Sequence, residues 1–195
     1  MELNATTMLL RNLKASVEAK QLFATQTEQQ AIFQRAADAA IASYQSGGRL
    51  YIAGNGGSAA DAQHLAAEFV SRLARERTAL PAEALTVDTS ILTAIGNDYG
   101  YEHVFSRQIA AKMTSKDIFL GITTSGKSPN IIKALEMCRS MGIPTIVFTG
   151  HDGGLVKAHA DYCIIAPGMA TSTIQEIHIV LAHTLCEAVE TAICV

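Results

Sequence analysis

The 195-residue chain lacks what several protein classes need. It has no basic run and carries a formal net charge of −3, so no dedicated nucleic-acid surface is expected. Its four cysteines, Cys138, Cys163, Cys186 and Cys194, never fall at C-x-x-C spacing, which disfavours a cysteine zinc site. Three of them sit in apolar runs and read as small core residues of a reduced, cytosolic protein. No apolar stretch has the uninterrupted length of a membrane span; even the greasy C-terminal segment carries Glu176, Glu187 and Glu190. Glu2 and Arg11 flank only a short apolar stretch, so no signal peptide is expected there. Linkers, repeats and low-complexity tracts are missing as well. Charged residues make up 17% against 49% hydrophobic, which excludes disorder and implies a large buried fraction. One domain spanning residues 1–195 is expected.

What is present is alternation. Two helical patterns open the chain, about Asn4–Thr25 and Glu28–Ser46, the second ending at Gly47-Gly48. Strands are then predicted at Leu50–Ala53, Ala82–Val87, Ile118–Ile122, Thr145–Phe148 and Cys163–Ala166. Between them fall helical patterns at Ala59–Leu73, Ser90–Ile95, Glu102–Lys112, Asn130–Met141 and Leu155–His159, and a long one closes the chain at Ile174–Ala192. Short, continuously apolar strands separated by helices imply a parallel five-stranded sheet covered on both faces, a doubly wound α/β fold. Ligands of such sheets bind beyond the carboxyl ends of the strands. The loops there are Gly54–Ser58, Asp88–Ser90, Thr123–Ser128 and Thr149–Gly154, of which the first and third are the most polar and glycine-rich.

The first of these loops leads into a helix carrying His64 and Glu68, one helical turn apart and therefore on one face. A turn that lets a ligand approach the backbone, followed by an acid/base or metal pair, is what a small-molecule active site requires. The plainer reading is a solvated pair on an amphipathic helix. In the third loop Ser128 suits an N-cap and Pro129 the first helical position. Four hydroxyls (Thr123, Thr124, Ser125, Ser128) beside a helix N-terminus make a cradle for a phosphate dianion. Read from Gly121, the same stretch fits the G-x-x-x-x-G-K-S pattern of a P-loop NTPase. Against this, Gly121 falls inside the apolar strand, and no later strand ends in an aspartate to hold magnesium.

In the last helix, Ser172–Gln175 and Thr173–Glu176 both fit a capping box. The residues that follow are apolar on nearly every side, which suits a core or a subunit interface and shields His178 and His183. A buried histidine needs a partner. Gln175 and His183 lie eight residues apart, about 12 Å along a helix axis. Two such side chains hardly reach one ion from the same helix, so if both serve a site of one kind, two subunits contribute to it.

Together these stretches resemble the sugar isomerase (SIS) domain family, and within it the phosphoheptose isomerases. The resemblance rests on Ala53–Ser58 with Asp61, His64 and Glu68; on Leu92–Tyr101; on Thr123–Asn130; and on Ile174–His178 with His183. It spans essentially the whole chain. It implies a flavodoxin-like sheet in a cytoplasmic homotetramer with active sites at subunit interfaces, residues 1–46 packing in that oligomer. It also implies conversion of D-sedoheptulose 7-phosphate to D-glycero-D-manno-heptose 7-phosphate through an enediol. That is the first step of bacterial ADP- or GDP-heptose biosynthesis for lipopolysaccharide or surface glycans. Residue by residue, His64, Glu68, Gln175 and His183 look like ligands of one Zn2+ per subunit. Asn55, Gly56, Gly57, Glu68, Asn97, Asp98, Thr123, Thr124, Ser125, Ser128 and Gln175 look like substrate contacts. Glu68 and His183 would serve as base and acid. Asp61 and Asp98 are candidates for opening the sugar ring, with capping or plain turn roles as alternatives, and Arg72 either meets substrate or forms a salt bridge. Thr123-Thr124 stands where serine-threonine is frequent, and Lys127 where asparagine is common. A rival reading is a non-catalytic SIS-domain adaptor that binds the replication initiator protein, which leaves the four ligand-type side chains unexplained.

Overall fold

The computed structural model describes residues 4–194. Two helices of 19 residues each, α1 (Ala5–Phe23) and α2 (Thr27–Gln45), precede the alternating part of the chain. There follow β1 (Leu50–Gly54), α3 (Gly57–Val70), β2 (Ala82–Ala84), α4 (Thr89–Tyr99) and α5 (Ser106–Lys112). The chain continues through β3 (Ile118–Thr123), α6 (Pro129–Met141), β4 (Thr145–Gly150), β5 (Tyr162–Ala166) and α7 (Thr171–Ile193). All neighbouring strands pair in parallel, in the order β2-β1-β3-β4-β5, the flavodoxin-like arrangement.

The central strands β1, β3 and β4 are buried along their whole length, because helices cover both faces. Side chains alternate between two core layers. Ile118, Leu120 and Ile122 of β3 face the layer built with α2, α3 and α7, where Leu65, Phe69, Leu181 and Leu185 pack. Phe119 faces the opposite layer with Ile109, Ile131 and Leu135 of α5 and α6. All strands therefore point their carboxyl ends toward one edge, where the loops after β1 and β3 meet.

Three sequence expectations are corrected here. The second strand stops at Ala84 instead of Val87. It is an edge strand with one neighbour, and after Leu85 donates its N–H to Ile52 the chain peels away toward α4, which Asp88 caps. The helix expected over Glu102–Lys112 is a 3-10 turn (Tyr101–His103) followed by α5, with the bend at the buried Val104 and Phe105. The segment at Leu155–Ala158 is likewise a single 3-10 turn.

Helix α7 departs further from expectation. It starts at Thr171 with Ala170 in the cap position, so Ser172 and Thr173 lie inside its first turn and neither capping box forms. It is not apolar all round within the chain: Val180, Thr184, Glu187 and Thr191 form an exposed face. Leu9, Leu10, Leu13 and Val17 of α1 are more than half exposed too. Among the described residues, no helix is long and apolar enough to cross a membrane.

Candidate active site

Three helices begin at the same sheet edge. Gly56 precedes α3 with a positive φ of 55°, Ser128 precedes α6, and Ala170 precedes α7. None of the three starts carries a side-chain cap among the described residues. Ser128 does occupy the expected cap position, but its hydroxyl pairs with Thr123 Oγ1 at 2.9 Å and not with the helix. The three starts border one cavity of about 190 Å³. Its walls include Gly57 and Ser58 of α3, the hydroxyls of Thr123, Thr124, Ser125 and Ser128, and Thr171 and Gln175 of α7. Uncapped amides at helix N-termini, with dipoles directed at one small polar space, favour an anion.

Gln175 lies directly on Gly57: a Cβ at position 57 would stand 2.6 Å from the Gln175 Nε2. Any side chain at position 57 would push the Gln175 amide aside. A second cavity, about 390 Å³, shares Asn55 and Ser128 with the first and adds Tyr101, Glu102, Pro129 and Asn130. Ser58, Thr171 and Asn130 were not among the predicted contacts. Thr171 was hidden because α7 starts three residues before the predicted Ile174.

Two turns along α3 lies a cluster of different chemistry. His64 Nε2 and Glu68 Oε1 are 3.0 Å apart, and His183 Nε2 lies 3.4 Å from His64 Nε2. The three residues can bring one ligand atom each to within 4.8 Å of one another. Two imidazole nitrogens aimed at each other beside a carboxylate form a donor set for a borderline-soft cation. Ligands at 2.0–2.1 Å around a tetrahedral ion stand about 3.3 Å apart, so these separations fit Zn2+.

Helices α3 and α7 run side by side in the same direction, with Gln175 on Gly57 and His183 on His64. Gln175 therefore belongs to the hydroxyl-lined cavity of its own chain, and His183 to the cluster, as their spacing on one helix requires. The other predicted residues are more dispersed. Asn97 and Asp98 lie on the exposed side of α4, bonded to each other (Nδ2 to Oδ1, 2.8 Å), and border neither cavity. Arg72 is exposed and pairs with Glu76. Asp61 is half-buried; burial raises its pKa, the nearby His64 opposes this, and its buried Oδ2 has no hydrogen-bond partner among the described residues. His178 is buried and its Nε2 meets the Thr149 carbonyl at 3.0 Å, so the shielded histidine does have a partner. Gly121 sits in mid-strand, paired with Ala53 and Val147, which removes the turn a P-loop needs.

The SIS domain family model matches residues 15–150. The phosphoheptose isomerase of Aneurinibacillus thermoaerophilus is 52% identical over 182 residues, 93% of this chain and 92% of that protein. The chain belongs to the phosphoheptose isomerase family. A second phosphoheptose isomerase, from a Roseiflexus species, is 48% identical and covers 95% of this chain and 93% of its own length. Among solved structures, a phosphoheptose isomerase from Francisella tularensis superposes with a TM-score of 0.92 at 32% identity, covering 97% of this chain and 100% of that one. The phosphoheptose isomerase of Neisseria gonorrhoeae gives 0.86 at 37% identity over 96% and 100%. The enzyme is thus an isomerase on a SIS-domain scaffold.

Proposed function

We propose that this isomerase interconverts D-sedoheptulose 7-phosphate and D-glycero-D-manno-heptose 7-phosphate. The observation that carries the reading is the pairing of an anion cradle, lined by four hydroxyls and three helix starts, with the His64–Glu68–His183 cluster. The cradle takes the phosphate, with Asn55, Gly57, Thr123, Thr124, Ser125, Ser128 and Gln175 as its contacts; Gly56, Asn97 and Asp98 complete the proposed substrate set. The cluster handles protons. From the ketose, Glu68 removes a proton from C1 and returns it to C2, while His183 protonates O2 and accepts the proton of O1. An enediol lies between. One Glu68 oxygen faces His64, leaving the second for the substrate carbon.

His64, Glu68 and His183 would hold Zn2+, with Gln175 of a second protomer as the fourth ligand. His183 would give or take a proton only in a stage of turnover in which its Nε2 is not bound to the ion. When bound, the ion supplies Lewis-acid polarisation of a carbonyl oxygen.

Distance supports a shared site. Gly57 and Glu68 are eleven residues apart on α3, about 16 Å along its axis. An open seven-carbon chain with bonds of about 1.5 Å, including its phosphoester, reaches only roughly 10 Å. A homotetramer that sets the cradle of one protomer against the cluster of another resolves the mismatch. The exposed apolar residues of α1 in the N-terminal segment 1–46, and Val180 of α7, supply surface for such contacts. The single domain, a cytoplasmic location and entry into ADP- or GDP-heptose biosynthesis complete the proposal; four free cysteines suit a reducing compartment.

The test is incubation with sedoheptulose 7-phosphate in D2O, followed by NMR. The aldose should appear with deuterium at the exchanging carbon, and Glu68→Gln should abolish both while the fold persists. Normal exchange in that variant would remove Glu68 from the base role.

A further inference from the structure

Beyond the His64–His183 contact, the seam between α3 and α7 holds a buried ion pair. Arg77 Nε donates to Glu190 Oε1 at 2.7 Å, and both side chains are only 2% exposed. The rest of the guanidinium grips the end of α3. One terminal nitrogen donates to the Glu68 carbonyl at 2.8 Å, the other to the Phe69 carbonyl at 2.8 Å and to the Thr78 carbonyl at 3.1 Å. Glu190 Oε1 also accepts the Leu73 N–H at 3.1 Å, just past the helix end. Carbonyls of a last helical turn lack helix partners, and here arginine satisfies two of them inside the protein.

The placement of this pair is what matters. Arg77 holds the backbone of Glu68 itself. Glu190 follows His183 by seven residues, two turns along the same face of α7. A shift of α7 along α3 would break the pair and move His183 relative to His64 and Glu68. A buried ion pair is weak as a source of stability, because desolvation offsets attraction, but its geometry is exacting, and a fixed register is its best-attested use. Neither residue borders either cavity. We infer that Arg77 and Glu190 are positioning residues that set the register of α3 against α7 and so the spacing of the His64–Glu68–His183 cluster.

The inference rests on the metal-binding reading of that cluster, and the experiment separates the two. Zn2+ is titrated into the full-length protein in competition with a chromophoric chelator, with His64→Ala locating the ion. The double variant R77M/E190L removes both charges and keeps apolar volume. It should retain the parent's circular dichroism and oligomeric mass while Zn2+ affinity falls about tenfold or more, the scale for groups that orient metal ligands. Parent-like affinity in the folded double variant overturns the inference. If that variant does not fold, R77K keeps the charge but not the planar fork that reaches helix end and carboxylate together. Weakened Zn2+ binding at unchanged melting temperature then supports the positioning role, and unchanged binding overturns it. A parent that binds no Zn2+, or a His64→Ala variant that binds it equally well, defeats the metal reading itself and the positioning role with it.

Discussion

Asn55 and Asn130 hold each other by both amides: Asn55 Nδ2 donates to Asn130 Oδ1 at 2.9 Å, and Asn130 Nδ2 returns a bond to Asn55 Oδ1 at 2.8 Å. The pair ties the loop after β1 to the first turn of α6. Turning one amide alone would oppose nitrogen to nitrogen and oxygen to oxygen, so each fixes the other.

Asn130→Ala should therefore free the Asn55 amide without emptying the cavity of hydroxyls. Loss of a buried reciprocal pair is worth about 1–3 kcal/mol, so kcat/KM for sedoheptulose 7-phosphate should fall roughly tenfold. In an Asn55→Ala background the same change should cost little more. Additive losses in the two variants would show that Asn130 does not act through Asn55.

Gly126 has a φ of 64°, and a Cβ there would stand 2.2 Å from the Gly153 carbonyl oxygen. Neither backbone has a flexible end to yield. Gly126→Ala should destabilise the protein by about 1–3 kcal/mol, read by urea unfolding, because strain and clash act together. Gly57→Ala meets only the movable Gln175 amide. It should spare stability and weaken binding of inorganic phosphate.

Burial lowers the pKa of His178 to about 4, with its Thr149 hydrogen bond opposing the shift. Between pH 6.5 and 4 the unfolded chain takes up this proton and the folded one does not. Stability from the neutral ring is complete above pH 6.5 and falls by up to about 3 kcal/mol as pH drops through that window. His178→Gln, which retains an amide donor, should flatten this part of the urea-unfolding profile. Parallel profiles for parent and variant would contradict the assignment.

Prolonged dialysis against a chelator should abolish isomerisation, and Zn2+ should restore it. Mg2+ should not, because two imidazoles suit a softer ion than an oxygen-seeking one. Full activity in metal-free protein, verified by elemental analysis, would exclude the metal from the reaction.

Much of this architecture was legible from residues. Continuous apolar runs such as Ile118–Ile122 announce a strand covered on both sides, and β3 is such a strand. Spacing alone put His64 and Glu68 on one face of a helix, and they do meet. The contact of His183 with His64 joins residues 119 apart in sequence, which no local pattern encodes. Serine and threonine at positions 172 and 173 imitate caps and suggest a start of α7 at Ile174, whereas the helix begins at Thr171 with no side-chain cap. Asn130, within the Thr123–Asn130 stretch, gains no role from sequence for a similar reason: beside a proline at a helix start it looks like ordinary turn chemistry, and only its partner reveals another use.

If the proposed shared site holds, each chain lends its cradle to one site and its His64–Glu68–His183 cluster to another. A protein crippled in the hydroxyl loop and another crippled at Glu68 would each be silent alone. Mixed and allowed to exchange subunits, they would regenerate working sites from their two intact halves, so activity would emerge from a blend of inactive parents.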